Sequence, residues 1–235
     1  MISFFMTFDD PAAQRRIHSD DLSRVAAKVR AIANLTEALL FTPLERPVKH
    51  PFMHDGAGPV LALQLRFPDL FTCEAAAGRD GALAELAASR DLLSLAGLGV
   101  THQAMMTRAF PVDVSEHAAG AENPCSYLVH YPGMAEDLNT WNLHYLEHHP
   151  PIMRTFPNVR GIEIFTRIDW VDRLPSRRVE YMQRNKLVFD SAEALSHALT
   201  SDVIGRMRSD FNQFPPFSGG NKHFPMLTRV VKPAT

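Results

Sequence analysis

The side chains best able to move protons or hold an aromatic ring are concentrated in residues 141–159. At about 100° per residue on an α-helix, Trp141, Tyr145 and His149 fall on one face, which predicts a buried stripe ending in an imidazole. A helix end favours the charged imidazole, whereas burial favours the neutral form. Such opposing influences suit a general acid or base near neutral pH. We therefore predict that His149 is catalytic and that Trp141 and Tyr145 bind a substrate ring.

Two prolines, Pro150 and Pro151, follow this histidine directly. Proline lacks the amide hydrogen that a helix interior uses, and it pushes the preceding residue out of the α conformation. The sequence therefore predicts that a helix over residues 135–149 ends or kinks at His149. Core packing is the alternative interpretation of the stripe, because large apolar residues at helical spacing usually join a helix to a sheet.

Residues 144–148 read His-x-x-Glu-His, the inverted signature of zinc peptidases. Two histidines one turn apart can chelate a metal, but the motif also needs a distant carboxylate ligand and a long helix. The prolines that follow shorten this helix, so we predict no metal site and keep a zinc hydrolase as the least favoured alternative. His50 and His54 share a loop with prolines and glycines, where solvated histidines are expected.

A further candidate, His130, lies in an apolar stretch at residues 125–131 that predicts a strand. It shares one side of that strand with Ser126 and Leu128, so we predict that it faces the interior and contacts a ligand. Arg108 and Arg229 occupy matching strand positions and could bind a carboxylate, although shared structural ion pairs explain them more simply.

Composition limits the classes of function. The chain has 235 residues, of which 46% are hydrophobic and 21% are charged, and its net charge is -2. Without a basic excess, nucleic acid is not an expected partner, and no apolar run is long enough for a membrane. The two cysteines, Cys73 and Cys125, favour a reducing cytoplasm. Glycine-rich phosphate loops are missing, so we expect no cofactor, although haem ligation by a histidine stays open.

Hydrophobic periodicity divides the chain into two similar series of elements. The first series has predicted strands at residues 2–8, 35–42, 60–76 (bent at Pro68) and 102–110, with helices at 22–32 and 80–96. The second series has strands at residues 125–131, 159–170, 179–189 and 223–231, with helices at 135–149 and 191–207. Both series are β-α-β-β-α-β, the order of a ferredoxin-like unit.

Short sequence matches accompany this repeated order. Three segments recur, namely Asn34-Leu35 as Asn158-Val159, Leu40-Phe41-Thr42 as Ile164-Phe165-Thr166, and Met105-Met106-Thr107-Arg108 as Met226-Leu227-Thr228-Arg229. We therefore predict an α+β chain of two tandem ferredoxin-like repeats, at residues 1–115 and 125–235, joined by a linker at 116–124. Each sheet would leave one face uncovered, so the two should pack together as a pseudo-dimeric α+β barrel.

The second repeat resembles a known family. Its pattern is Tyr145-x3-His149-x-Pro151-Ile152-x4-Pro157-x-Val159, after the strand Tyr127-Leu128-Val129-His130-Tyr131. This resembles the EthD family, named for ethyl tert-butyl ether degradation, within the dimeric α+β barrel superfamily. The chain departs from that pattern with Ile152 for leucine and Asn158 for glycine. The resemblance implies a role in a degradation or secondary-metabolite pathway, and superfamily relatives include lactone isomerases, polyketide cyclases and cofactor-free monooxygenases.

The expected function is therefore binding of an apolar oxygenated ring compound (an aromatic, lactone or polyketide intermediate) with acid–base chemistry at His149. A non-catalytic accessory protein and a cofactor-free oxidoreductase or monooxygenase are the alternatives, and a homodimer is a further expectation. At the positions of Tyr145 and His149, the first repeat has Asp21 or Leu22 and Val25 or Ala26. Since aliphatic and acidic side chains cannot exchange a proton near neutral pH and also stack on a ring, we predict one functional pocket, in the second repeat.

Overall fold

The computed structural model describes residues 1–46, 48, 55–56, 58–88, 91–117 and 124–233. The strands within these residues are β1 (Ile2–Asp9), β2 (Glu37–Pro43), β3 (Leu61–Phe67), β4 (Gly99–Phe110), β5 (Cys125–Tyr131), β6 (Gly161–Arg167), β7 (Arg177–Arg178), β8 (Gln183–Phe189) and β9 (Lys222–Val231). The helices are α1 (Ser19–Arg30), α2 (Leu70–Ala76), α3 (Ala82–Ala88), α4 (Leu138–Met153), α5 (Ala192–Leu199) and α6 (Val203–Phe211). None of these helices combines the length and apolar character needed to cross a bilayer.

Eight strands form a closed antiparallel barrel in the order β1-β3-β2-β9-β5-β8-β6-β4, with β4 returning to β1. The short strand β7 pairs in parallel with β4 outside this ring. Closure leaves no free edge among the eight strands, which removes the usual route to edge-to-edge aggregation. The protein is therefore an α+β barrel, as the alternation of strands and helices predicted.

The two halves of the barrel have the same pairing pattern. In the first half β1 lies between β3 and β4 while β2 pairs with β3, and in the second β5 lies between β8 and β9 while β6 pairs with β8. The halves meet where β2 pairs with β9 and β4 with β6, which places Arg229 opposite Leu40 and Arg108 opposite Ile164. Asn34 and Asn158 both adopt a φ of 59°, a left-handed conformation that asparagine tolerates.

Alternate residues of each strand face either the helices or the barrel interior. On the helix side of the first half, Val25 and Val29 of α1 are fully buried in one core with Phe4. Inside the barrel, Phe5 and Phe165 contact each other with ring centroids 4.8 Å apart. The interior also contains the buried pair of Lys186 and Glu163, whose Nζ and Oε2 atoms are 2.8 Å apart.

Three predicted elements are wrong in type or extent. Residues 70–76 form α2 rather than the end of a strand, because the Asp69 side chain accepts a hydrogen bond from the Thr72 amide and starts a helix. The helix predicted at residues 80–96 is helical only over Ala82–Ala88 among its described residues. The helix predicted at 191–207 is two helices, since α5 ends at Leu199 and α6 begins at Val203.

The predicted end of the helix at His149 is also wrong. Helix α4 continues through both prolines to Met153, and the Arg154 amide donates to the Pro150 carbonyl at 2.9 Å. The fixed φ of proline suits a helix, and the restriction on the preceding residue is a preference that tertiary packing overrides here. His149 therefore lies one turn before the end of α4, on the buried face with Tyr145 and Met153.

Candidate functional site

A cavity of about 280 Å³ lies between the sheet of the second half and the layer formed by α4, α5 and α6. Its apolar wall consists of Val129, Met153, Phe156, Leu187, Leu199, Ile204, Met207 and Phe211. The polar lining residues are Tyr127, Tyr131, His149, Asn185, Arg208, Asn212, Asn221 and His223. Small-molecule sites typically combine such an apolar wall with a few polar groups that fix orientation.

His149 lines this cavity and is held by α6. Its Nδ1 atom lies 2.6 Å from Oδ2 of Asp210, in a buried contact between the two helices. A carboxylate can only accept a hydrogen bond, so Nδ1 carries the proton and Nε2 keeps its lone pair. Asp210 does not line the cavity, which leaves Nε2 as the nitrogen that His149 offers to a ligand. The neutral ring is thus set up as a proton acceptor.

Burial and charge act in opposite directions on this pair. Burial lowers the pKa of His149, and the hydrogen bond and charge of Asp210 only partly offset that effect. Burial raises the pKa of Asp210, but the hydrogen bond and charge of His149, together with the charges of His144 and His148, hold this pKa below its ordinary value. At neutral pH the site therefore contains a neutral imidazole oriented by a carboxylate.

A second histidine–carboxylate pair lies on the sheet side of the same cavity. Nδ1 of His223, on β9, is 2.6 Å from Oδ2 of Asp55, and the Asp55 carboxylate also accepts from the His223 amide. Burial lowers the pKa of His223, against the hydrogen bond and charge of Asp55. The ring stacks on Tyr127 with centroids 5.5 Å apart. The cavity is thus flanked by one imidazole on α4 and another on the sheet.

Trp141 and Tyr145 do not line the cavity, in contrast to the prediction. Both are fully buried, and their rings stack on each other with centroids 5.0 Å apart. Tyr145 also lies against His149 at 4.7 Å, and Phe214 contacts all three rings. The Tyr145 hydroxyl accepts a hydrogen bond from Asn185, a residue of the cavity wall. These two aromatic side chains therefore position the wall instead of forming it.

His130 lies on the other side of the sheet from the cavity. Tyr127, Val129 and Tyr131 of β5 line the cavity, so the alternating residue His130 faces the barrel interior. Its Nε2 is 3.1 Å from Nη1 of Arg184, and since a guanidinium has no acceptor, His130 must accept this bond. Burial, followed by the charge of Arg184, lowers its pKa well below the ordinary value. The structure does not bring His130 together with His149.

The two histidines of the His-x-x-Glu-His motif are on the outer side of α4. Their rings, His144 and His148, have centroids 4.6 Å apart, and Nε2 of His144 is 3.5 Å from Oδ1 of Asp210. Within the described part of the chain, no group of three or more histidine, cysteine or acidic residues could hold a metal ion. His50 and His54 lie outside the described residues.

The equivalent region of the first half is packed differently. Val25 and Val29 of α1 are fully buried and contact the apolar side chains of β1 there. Asp21 accepts hydrogen bonds from the amide and hydroxyl of Ser94 instead of supporting a histidine. The two imidazoles that line the cavity, His149 and His223, thus belong to the second half, and the first half contributes Asp55.

A haem group does not fit the cavity. The hydrogen bonding of His149 resembles that of metal-binding histidines, because its Nδ1 bonds to a carboxylate and its Nε2 remains available. The space is about 280 Å³, however, and sites for drug-sized ligands run from roughly 300 to 1,000 Å³. A macrocycle would have to displace Met153, Phe156 or Phe211 from the wall. The residues present suit a compound of two or three rings.

Solved structures share this architecture. An anthrone oxidase-like protein matches with a TM-score of 0.61 at 11% identity, over 98% of this chain and 93% of that one. A protein of Fusobacterium nucleatum assigned as a monooxygenase matches with a TM-score of 0.57 at 8% identity, over 98% of this chain and 94% of that one. What the chain shares with them is the fold of an α+β barrel.

An EthD family protein is also among the similar structures. An EthD family protein of Bacillus halodurans matches over 42% of this chain and 95% of its own length, at 17% identity with a TM-score of 0.33. Comparison of the sequence with protein-family models and with curated proteins gives no match. At these identities, the similarity of the dimeric α+β barrels is a similarity of fold, and function has to be argued from the site.

Proposed function

We propose that the protein binds an apolar, oxygenated ring compound in the second-half cavity and that His149 acts on it as a general base. The observation that carries this proposal is the buried bond between His149 and Asp210 beside an apolar wall. This hydrogen bond fixes the tautomer and the orientation of the imidazole, so the base is correctly placed before the substrate binds. The pKa of His149, lowered by burial, keeps Nε2 unprotonated at neutral pH.

The cavity also specifies the chemistry of the ligand. Neutral His149 presents the lone pair of Nε2, because its Nδ1 donates a hydrogen bond to the Asp210 carboxylate. A suitable compound therefore carries an acidic hydrogen, as a hydroxyl or as a C–H next to a carbonyl, at one edge of a flat ring system. Burial raises the pKa of Tyr131 to about 12, so this hydroxyl remains a hydrogen-bond donor for a carbonyl oxygen.

The simplest reaction is proton transfer from carbon. Nε2 of His149 removes a proton next to a ring carbonyl, and the electron pair of the broken C–H bond moves to the carbonyl oxygen as an enolate. Returning the proton to another carbon or oxygen atom completes an isomerisation or cyclisation. This scheme needs no metal or cofactor.

Cofactor-free oxygenation is the second candidate, favoured by the similarity of the fold to an anthrone oxidase-like protein and to a protein assigned as a monooxygenase. After the same proton transfer, the carbanion of a doubly activated ring CH₂ reduces molecular oxygen. One oxygen atom becomes the new carbonyl and the other leaves as water with the two hydrogens. The overall change, CH₂ plus O₂ to C=O plus H₂O, moves four electrons from the carbon to oxygen.

We further propose that the chain is a tandem duplication of a ferredoxin-like unit, with repeats at residues 1–115 and 125–235. The equal pairing pattern of the halves and the reciprocal registers of Arg108 with Ile164 and Arg229 with Leu40 support this division. Two buried, unpaired cysteines, Cys73 and Cys125, support a reducing cytoplasmic location. Formation of a homodimer stays a prediction.

Fluorescence titration can test the binding part of this proposal. In a Trp170→Phe background Trp141, beside the cavity wall, is the only tryptophan, and anthrone, a flat ring ketone with an acidic CH₂, serves as the probe. We expect a saturable change in emission, lost when Leu199→Phe fills the cavity. A titration unaffected by Leu199→Phe would show that anthrone binds elsewhere.

The chemistry is then measured with the same probe. Under nitrogen in D₂O, a general base increases deuterium uptake at the anthrone CH₂, and His149→Gln abolishes that increase. In air, consumption of one O₂ per anthrone identifies the oxygenase. Binding without either reaction identifies the accessory protein, and equal deuterium uptake with wild type and His149→Gln would refute His149 as the base.

A further inference from the structure

Asp210 lies between the cavity that His149 lines and a separate cleft. The cleft, with a volume of about 430 Å³, is lined by His144, His148, Ile152, Arg206, Ser209, Asp210 and Gln213. His149 borders the cavity but not the cleft, whereas Asp210 borders the cleft but not the cavity. One carboxylate therefore separates the buried imidazole from a surface that carries two more imidazoles.

The two carboxylate oxygens have different partners. Oδ2 lies 2.6 Å from Nδ1 of His149, and Oδ1 lies 3.5 Å from Nε2 of His144. The next ring, His148, is exposed and 4.6 Å from His144 between centroids. Exposure thus increases outward, from 6% of the His149 side chain and 9% of Asp210 to 22% of His144.

We propose that Asp210, His144 and His148 form a proton path between the buried His149 and solvent, a role that rests on the proposed function of His149. A ligand that fills the cavity separates the His149 side chain, which is only 6% exposed, from water on that side. A path through side chains supplies proton exchange while the ligand stays bound. Such a path would also explain the two histidines of the His-x-x-Glu-His motif without a metal.

The transfer conserves charge and involves no change of electrons. When Nε2 of His149 accepts a proton, its Nδ1 proton moves to Oδ2 of Asp210. Rotation of the carboxyl group about Cβ–Cγ presents this proton to Nε2 of His144, which requires the 3.5 Å separation to shorten to hydrogen-bond length. His144 then releases its Nδ1 proton to His148 or to water. The reverse sequence brings a proton inward.

A purely structural contact is the competing explanation, because an ion pair between His144 and Asp210 would also join α4 to α6. The groups around Asp210 that can carry charge are His144, His148 and His149 from α4 and Arg206 from its own helix. The Arg206 guanidinium donates to the Thr155 hydroxyl instead. A structural contact predicts a loss of stability when His144 is replaced, but no specific change in proton exchange at His149.

Exchange of the His149 Nδ1 proton with water separates these explanations. The full chain is labelled with ¹⁵N-histidine, and the exchange rate is measured by NMR without any ligand, so the result does not depend on turnover of a substrate. His144→Phe keeps a ring beside Phe214, which lies 5.7 Å away, but cannot carry a proton. We expect exchange to slow by about a hundredfold, the lower end of the contribution of a positioned proton-transfer group.

Three further variants make the test decisive. His148→Gln changes an exposed residue and should fold, and we expect it to slow exchange as well. In His144→Ala, which removes the ring, free imidazole should bind in the vacated space and restore the rate. His197→Gln, an exposed histidine on α5, is the control and should leave exchange unchanged. Unchanged exchange in both His144→Phe and His148→Gln, or equal slowing in His197→Gln, would overturn the proposal.

Discussion

His149 and Asp210 are 61 residues apart in the sequence, and their side chains meet in a buried contact of 2.6 Å between Nδ1 and Oδ2. The contact joins α4 to α6. Because Nδ1 of His149 bonds to Asp210, this nitrogen points away from the cavity. The contact therefore determines which nitrogen a ligand can reach. Charge-assisted hydrogen bonds of this kind are stronger than neutral ones, so the orientation should be well fixed.

Replacing the carboxylate should shift the titration of the imidazole. In Asp210→Asn the hydrogen bond to a charge and the favourable field are lost, while burial, which lowers the pKa, remains. We expect the pKa of His149 to fall below its wild-type value, as measured by NMR of ¹³C-labelled histidine. A rise in this pKa would mean that Asp210 does not favour the charged imidazole of His149.

The two halves of the barrel provide a matched pair of variants. His149→Gln keeps a polar side chain and should cost about 1 kcal/mol of stability, while any activity falls by about 10²-fold. Val25→Ala truncates a fully buried side chain of α1, so it should cost about 1–3 kcal/mol but leave binding in the folded fraction intact. Urea unfolding and the anthrone titration measure both quantities. Loss of anthrone binding in folded Val25→Ala would place the site in the first half.

Sequence patterns predicted the parts of this protein that depend on local periodicity. The strands and the position of His149 on a buried helix face follow from spacing, and the matched asparagines at 34 and 158 share one backbone conformation. The error at residues 70–76 is instructive, because a short apolar run suits a strand or a helix equally. The deciding signal was Asp69 after Pro68, a helix-capping residue.

The partners of His149 could not be found in this way. Asp210 is one acidic residue among many, and only the packing of α6 on α4 brings it to the imidazole. The pairing of β9 with β5 brings His223 beside Tyr127, and Asp55 comes from the other half of the chain. These contacts depend on tertiary packing, which spacing along one element does not specify.

The protein should not contain stoichiometric zinc. His144 and His148 offer two ligands at one-turn spacing, but the carboxylate near them, Asp210, already bonds to His149. Elemental analysis of protein purified without chelators should find far less than one zinc per chain. One zinc per chain that disappears with His144→Phe would contradict this expectation and revive the zinc hydrolase.

The barrel interior should be sensitive to unbalanced charge. Lys186 and Glu163 are 2.8 Å apart, with only 3% and 11% of their side chains exposed. Lys186→Met leaves a buried carboxylate with Arg66 as its remaining cation, and removing one partner of a buried pair typically costs about 3–5 kcal/mol. The double variant Lys186→Met/Glu163→Gln should recover part of this loss. Urea unfolding of both variants measures the difference, and a cost below about 1 kcal/mol for Lys186→Met would exclude strong coupling.

Stability should decrease as the pH falls below the ordinary pKa of histidine. His130, His149 and His223 all have a pKa lowered by burial. Below about pH 6.5 the unfolded chain binds protons that the folded chain does not, so the free energy of unfolding falls with decreasing pH, by at most about 1.4 kcal/mol per pH unit for each histidine.

That loss continues until the folded pKa of each group is reached. Comparing urea unfolding of wild type and His149→Gln between pH 7 and pH 5 isolates the contribution of one residue, because the other titrating groups are common to both proteins. The variant should show a shallower decrease in this window, since it has lost a group that binds protons only after unfolding. Equal pH dependence in the two proteins would mean that His149 titrates alike in the folded and unfolded chains, and would remove the argument that burial keeps it neutral.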